Sequence, residues 1–190
     1  MTEREQVVFD TFVRCGTDKG NSHEYHPVYA RIPSDIKRVL EIGIGGGQSL
    51  RAWLELFPNA EVWGLDQSRP GEMDVLEKDP RIHFIHSNIE DANTDELPMF
   101  DLIVDDGSHE YGNINTGIRK FYRHLIPGGT YVVEDVTLNA LPLILAPVGS
   151  VCVKIKEGMD NRVVTWKAPA IESLPEINIE NMEWETTSKT

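Results

Sequence analysis

Positive charge is scarce in this sequence. Lys and Arg number 18 against 31 Asp and Glu in 190 residues, a formal net charge of -13. A nucleic-acid groove binder needs a basic footprint to neutralise phosphates, so no nucleic-acid partner is expected; an anionic membrane surface is disfavoured by the same sign. Cysteine is nearly missing. Cys15 and Cys152 lie far apart with no C-x-x-C pair or Cys/His cluster, which points to two reduced thiols rather than a disulfide framework or zinc site. Long apolar runs are also lacking: the longest, Ala140–Val148, is broken by Pro142 and Pro147 and falls short of the ~18 residues that span a bilayer. No membrane partner is expected. The first residues, Met1-Thr-Glu-Arg-Glu-Gln, are charged where a secretory leader would turn apolar, so the chain is read as cytoplasmic. With 40% hydrophobic and only 8% aromatic residues, the length suits one domain with a continuous core.

What is present is a strand and helix alternation. Thr2 and Glu5 stand at capping-box spacing before a helix over 3–14, which Gly16 ends. A polar loop, Gly16–Gly20, and a short helix over 24–30 follow. Apolar runs at 39–42, 62–65, 82–85, 102–104 and 131–133 then alternate with amphipathic segments at 48–57, 71–78 and 111–125. That is the pattern of an α/β, doubly wound Rossmann-like fold with a mostly parallel sheet. The acidic connection 88–99, which contains Pro98, is expected to hold a short helix. Two closing strands, 151–156 and 162–166, are joined by the turn-rich Glu157–Asn161 and read as an antiparallel hairpin, for seven strands in all. One domain is therefore expected over 1–167, with an acidic tail over 168–190.

The chemistry gathers at the ends of the strands. Glu41-Ile-Gly-Ile-Gly-Gly-Gly47 follows the first strand and opens a helix, so backbone can approach a ligand there, although a ligand-free strand-to-helix turn has the same composition. Asp66 closes the second strand, where doubly wound folds present a carboxylate to ribose hydroxyls. Glu41 would repel a pyrophosphate and attract a sulfonium or ammonium, which favours S-adenosylmethionine over a dinucleotide. Strand four ends Asp105-Asp106-Gly-Ser-His109 and strand five ends Glu134-Asp135. Asp106, Glu134 and Asp135 form an all-oxygen set suited to Mg2+ or a similar divalent cation, while acids at these tips also serve as helix caps facing solvent. His109, with a near-neutral imidazole, is the candidate general base.

Taken together, Gly16-Thr-Asp-Lys-Gly20, His26-Pro-Val-Tyr29, Val39–Gly47, Ile103–His109 and Pro127–Asp135 resemble the macrolide-sugar O-methyltransferases, a class I S-adenosylmethionine-dependent family. The resemblance covers about residues 12–136 and implies Mg2+-dependent methyl transfer to a hydroxyl of a sugar or other small polyhydroxylated acceptor. By that resemblance Asp106, Glu134 and Asp135 are metal ligands and His109 the base. Thr17, Glu41, Gly43, Gly45, Asp66, Asn88 and Asp105 are the cofactor-binding set, with the Gly16–Gly20 loop closing over the cofactor. Asn88 stands where methyltransferases often carry an acid, and Val136–Ser150 is shorter than the family's acceptor segment. That shortness keeps open a non-catalytic S-adenosylmethionine-binding module acting through a partner, and a homo-oligomer in which a neighbour completes the acceptor wall.

Overall fold

The computed structural model describes residues 1–146, 150–154, 162–168 and 183–186. Helix α1 (Glu3–Cys15) begins with the expected capping box: the Thr2 amide donates to Glu5 Oε2 at 2.6 Å and the Glu5 amide to Thr2 Oγ1 at 3.2 Å. It ends on Gly16 in the left-handed conformation, φ 78°. Helix α2 (His26–Tyr29) is one turn.

The alternating unit then runs β1 (Arg38–Ile42), α3 (Gln48–Leu56), β2 (Glu61–Asp66), α4 (Met73–Leu76), β3 (Ile82–His86), β4 (Phe100–Asp105), α5 (Tyr111–Phe121) and β5 (Leu125–Val136). Strands β6 (Val151–Lys154), β7 (Arg162–Lys167) and β8 (Glu183–Thr186) close the sheet. Its order is β3-β2-β1-β4-β5-β7-β6-β8. Strands β1 to β5 are parallel, and β7 runs antiparallel to both β5 and β6. The expected doubly wound sheet and its antiparallel hairpin are thus present; the turn 157–161 lies outside the described residues. β8, parallel to β6, adds an eighth strand from within the acidic stretch 168–190. The rest of that stretch, apart from Ala168, is also outside the described residues.

Three local expectations change. Segment 88–99 forms turns, not a helix. Asn88 Oδ1 accepts the Asp91 amide at 2.8 Å and Asn93 Oδ1 the Asp95 amide at 3.0 Å, so side chains take the backbone donors that a helix would use. The helix expected over 71–78 shortens to α4. Finally, β5 starts six residues before Tyr131, because Pro127-Gly128-Gly129 is absorbed as an irregularity in its pairing with β4.

The sheet carries a core on each face. Val39, Val62, Leu102 and Val104 pack under α1 and α3 with Phe12, Leu50 and Trp53, whereas Leu40, Ile42, Ile103 and Val133 pack under α5 with Ile114, Ile118 and Phe121. Neighbours on one strand face opposite layers, which is why these strands read as continuous apolar runs. Trp53 meets the rings of Phe12 at 5.6 Å and Tyr29 at 4.9 Å, tying α1 and α2 to α3. No helix among the described residues is long and apolar enough to cross a membrane.

Candidate active site

Strand order reverses at β1, between β2 and β4, and the carboxyl ends of these strands open a crevice there. The two tips touch. Gly43 has φ 80°, and a Cβ on it would stand 2.3 Å from the Asp106 carbonyl oxygen and 2.6 Å from Gly107 Cα, so only glycine fits. The Asp106 amide donates to the Ile42 carbonyl at 2.8 Å and the Gly43 amide to Leu65 at 2.8 Å, which locks β4, β1 and β2 together at this level.

A cavity of about 490 Å3 lies over these tips. Of the expected cofactor residues, Gly43, Gly45, Asp66, Asn88 and Asp105 line it, as does Asp106; Thr17 and Glu41 do not. Asp66 Oδ2 accepts the amides of Ile44 (3.0 Å) and Gly45 (3.3 Å), and Oδ1 that of Ser68 (2.8 Å). The carboxylate thereby shapes the glycine loop, and its remaining lone pairs are free of these bonds. Asn88 is held by Asp91, to which its amide donates at 2.7 Å.

Asp105 is buried on the α5 side. Its Oδ1 accepts the Gly107 amide at 3.4 Å, and Oδ2 has no hydrogen-bond partner among the described residues. Burial pushes the carboxyl up to about 8, against the Gly107 amide. It fits only because residue 117 lacks a side chain, since a Cβ there would stand 2.7 Å from Oδ2.

The acids of β4 and β5 converge on a residue that the sequence reading did not single out. The ammonium of Lys19 lies 2.5 Å from Asp106 Oδ2, 2.7 Å from Glu134 Oε2 and 3.3 Å from Glu41 Oε1, with its side chain 1% exposed. Burial works against the Lys19 charge, but Glu134, Asp106 and Glu41 outweigh it and hold the ammonium well above its ordinary value. Burial likewise lifts Glu134 and Glu41 above the usual carboxylate range, with Lys19 opposing. Glu41 completes its shell with Ser49 Oγ (2.6 Å) and Trp53 Nε1 (3.0 Å), both donating to Oε2. Tyr29 donates its hydroxyl to Glu134 Oε1, and Tyr25 to Asp135 Oδ1.

Outside this hub, Asp106, His109 and Asp135 each offer an atom within 4.8 Å of the others, all three half-buried. His109 Nε2 lies 3.8 Å from Asp135 Oδ2. Both residues adopt left-handed backbone, φ 59° and 53°, which among the described non-glycine residues only Glu24 shares. Such conformations cost about 1 kcal/mol or more and persist where the surroundings impose them. The all-oxygen donor set of Asp106, Asp135 and the adjoining Glu134 fits a divalent cation, with the His109 imidazole beside it. The structure thus brings Asp106, Glu134, Asp135 and His109 to one edge, with Glu134 set deepest and both its oxygens already engaged.

Residues 39–129 match the model of a methyltransferase domain. That segment is similar to a methyltransferase domain. The chain is homologous to macrolide-sugar O-methyltransferases: it is 36% identical over 61% of its length to the mycinamicin VI 2''-O-methyltransferase of Micromonospora griseorubida, covering 32% of that protein. It is 33% identical to the L-olivosyl-oleandolide 3-O-methyltransferase of Streptomyces antibioticus, over 74% of this chain and 40% of that one. Among solved structures, MycE methyltransferase from the mycinamycin biosynthetic pathway in complex with Mg and SAH superposes with a TM-score of 0.60 at 34% identity, covering 67% of this chain and 36% of that one. The chain spans about a third of the length of the curated relatives it matches.

Proposed function

We propose that this chain transfers the methyl group of S-adenosylmethionine to a hydroxyl of a sugar or similar small polyhydroxylated acceptor, with Mg2+ or a similar divalent cation at the Asp106, Glu134 and Asp135 edge. The observation that carries the reading is the adjacency of two features: a ligand-sized cavity over the glycine loop, and an acidic edge that shares Asp106 with it.

In this reading the loop backbone at Gly43 and Gly45 lets the cofactor approach the strand tips, Asp66 takes the ribose hydroxyls and Asn88 the adenine. Asp105 forms the inner wall of the same cavity. Thr17 and Glu41 act from behind it: the Thr17 hydroxyl accepts the Lys19 amide at 3.4 Å, and Glu41 adds negative charge beneath the sulfonium end. A divalent cation held at this edge would acidify an acceptor hydroxyl and fix its direction. His109 Nε2 receives the hydroxyl proton, and Asp135 steadies the resulting imidazolium. Most of the rate enhancement is then positioning of donor and acceptor. Residues 1–167 act as the single catalytic domain, to whose sheet β8 (Glu183–Thr186) adds a further strand.

Calorimetric titration with S-adenosylhomocysteine, with and without Mg2+, tests the reading. Binding to the wild type and its retention in Asp106→Asn alongside lost methyl transfer are expected; a wild-type protein that binds no S-adenosylhomocysteine would overturn it.

A further inference from the structure

The Lys19 side chain is a buried cation in the acidic edge that the proposed chemistry does not use. Its ammonium contacts Asp106, Glu134 and Glu41 at 2.5, 2.7 and 3.3 Å and is shut off from solvent. Its main chain is fixed as well, because the Tyr25 amide donates to the Lys19 carbonyl at 2.9 Å and α2 follows directly. The charge is therefore a constant part of the site. Asp106 belongs to both halves of the edge: Oδ2 faces the lysine, while the residue also groups with His109 and Asp135 in the more open half.

We propose that Lys19 is a permanent inner counter-ion of the cation site. It holds Asp106 and Glu134 in place when no cation is bound and, by repulsion across the shared Asp106 carboxylate, limits how tightly a divalent cation binds. Two cations that share one carboxylate in a water-poor interior repel with little screening, and three acids without either cation repel one another. A site so built stays folded while empty and binds its cation reversibly. The inference rests on the cation site of the proposed function.

The test is calorimetric titration of Mn2+ into the wild type, Lys19→Met and Lys19→Arg. Lys19→Met should bind Mn2+ at least about tenfold more tightly, and Lys19→Arg, which keeps the charge, should return within about threefold of the wild type. Without metal, Lys19→Met should melt at a lower temperature, and Mn2+ should raise its melting temperature by more than it raises that of the wild type. A purely structural lysine would give the opposite sign, since a disordered site binds less tightly. Unchanged or weakened affinity in folded Lys19→Met overturns the inference alone. A wild type that binds no Mn2+ overturns the cation site as well. Should Lys19→Met fail to fold, the wild-type Lys19 ammonium, observed by nitrogen-15 NMR, should shift on adding Mg2+; an unmoved signal overturns the inference.

Discussion

Tyr29 donates its hydroxyl to Glu134 Oε1 while Lys19 holds the other oxygen of the same carboxylate, so one buried acid joins α2, the Gly16–Gly20 loop and β5. Replacing Tyr29 with Phe leaves that oxygen without its donor in a site that water does not reach. Chemical denaturation should show a loss of about 1–3 kcal/mol. Tyr25→Phe removes the corresponding donor to Asp135, whose side chain is 13% exposed, and should cost less because water can replace it.

The glycine loop gives a contrast between two substitutions. Gly43→Ala would drive a Cβ into the Asp106–Gly107 backbone, whereas Gly45→Ala, at φ 50°, meets nothing within 4 Å. Gly45→Ala should cost about 1 kcal/mol of backbone strain. Gly43→Ala should cost more than that and weaken S-adenosylhomocysteine binding by at least about tenfold, since it parts the strand tips that line the cavity. Equal effects of the two in calorimetry would contradict the close approach of β1 and β4.

Asp105 sets a pH dependence. Its carboxyl is pushed up to about 8 in the folded protein by burial, while an unfolded chain titrates near ~4. The folded state therefore holds the extra proton between these values, and the group's contribution is fully present below ~4 and lost as pH rises towards about 8. Asp105→Asn removes the titration. Urea denaturation should show the variant gaining on the wild type as pH rises from 5 to 8, by an amount on the order of a few kcal/mol. A stability difference that stays flat with pH would contradict a buried, weakly partnered carboxyl.

Gly117→Ala tests the same pocket from α5. In an exposed helix interior this change stabilises by about 1 kcal/mol. Here the new Cβ would stand 2.7 Å from Asp105 Oδ2 and 3.0 Å from Ile89 Cδ1, so the melting temperature should fall.

Much of this architecture is written locally. The Thr2–Glu5 box, the β1 run into Gly43–Gly47 and the apolar strands depend on neighbours within a few residues, which periodicity and turn chemistry report directly. The Asp106 and Glu134-Asp135 pairs were legible because they end consecutive strands of a parallel sheet. Lys19 was not, for its partners Asp106 and Glu134 lie 87 and 115 positions away. Tyr25 and Tyr29 showed only the four-residue spacing of one helix face, which reads equally as core packing. The Asn88–Asp91 bonds misled the helix expectation, because a side-chain acceptor competing for backbone donors leaves no trace in hydrophobic periodicity. β8 was hidden inside an acidic stretch, where Glu183-Trp-Glu-Thr186 has too few apolar residues to announce a strand.

His109→Gln separates chemistry from binding. Removing the proposed general base should lower methyl transfer by about 100-fold or more while leaving S-adenosylhomocysteine affinity within about twofold.

The most direct measurement follows S-adenosylhomocysteine release by the wild-type protein over a panel of sugars and small polyols, after exhaustive chelation and again after Mg2+ is restored. Acceptor-dependent release that vanishes with chelation and returns with Mg2+ is the predicted result. Turnover that is indifferent to chelation would contradict a cation at the Asp106, Glu134 and Asp135 edge.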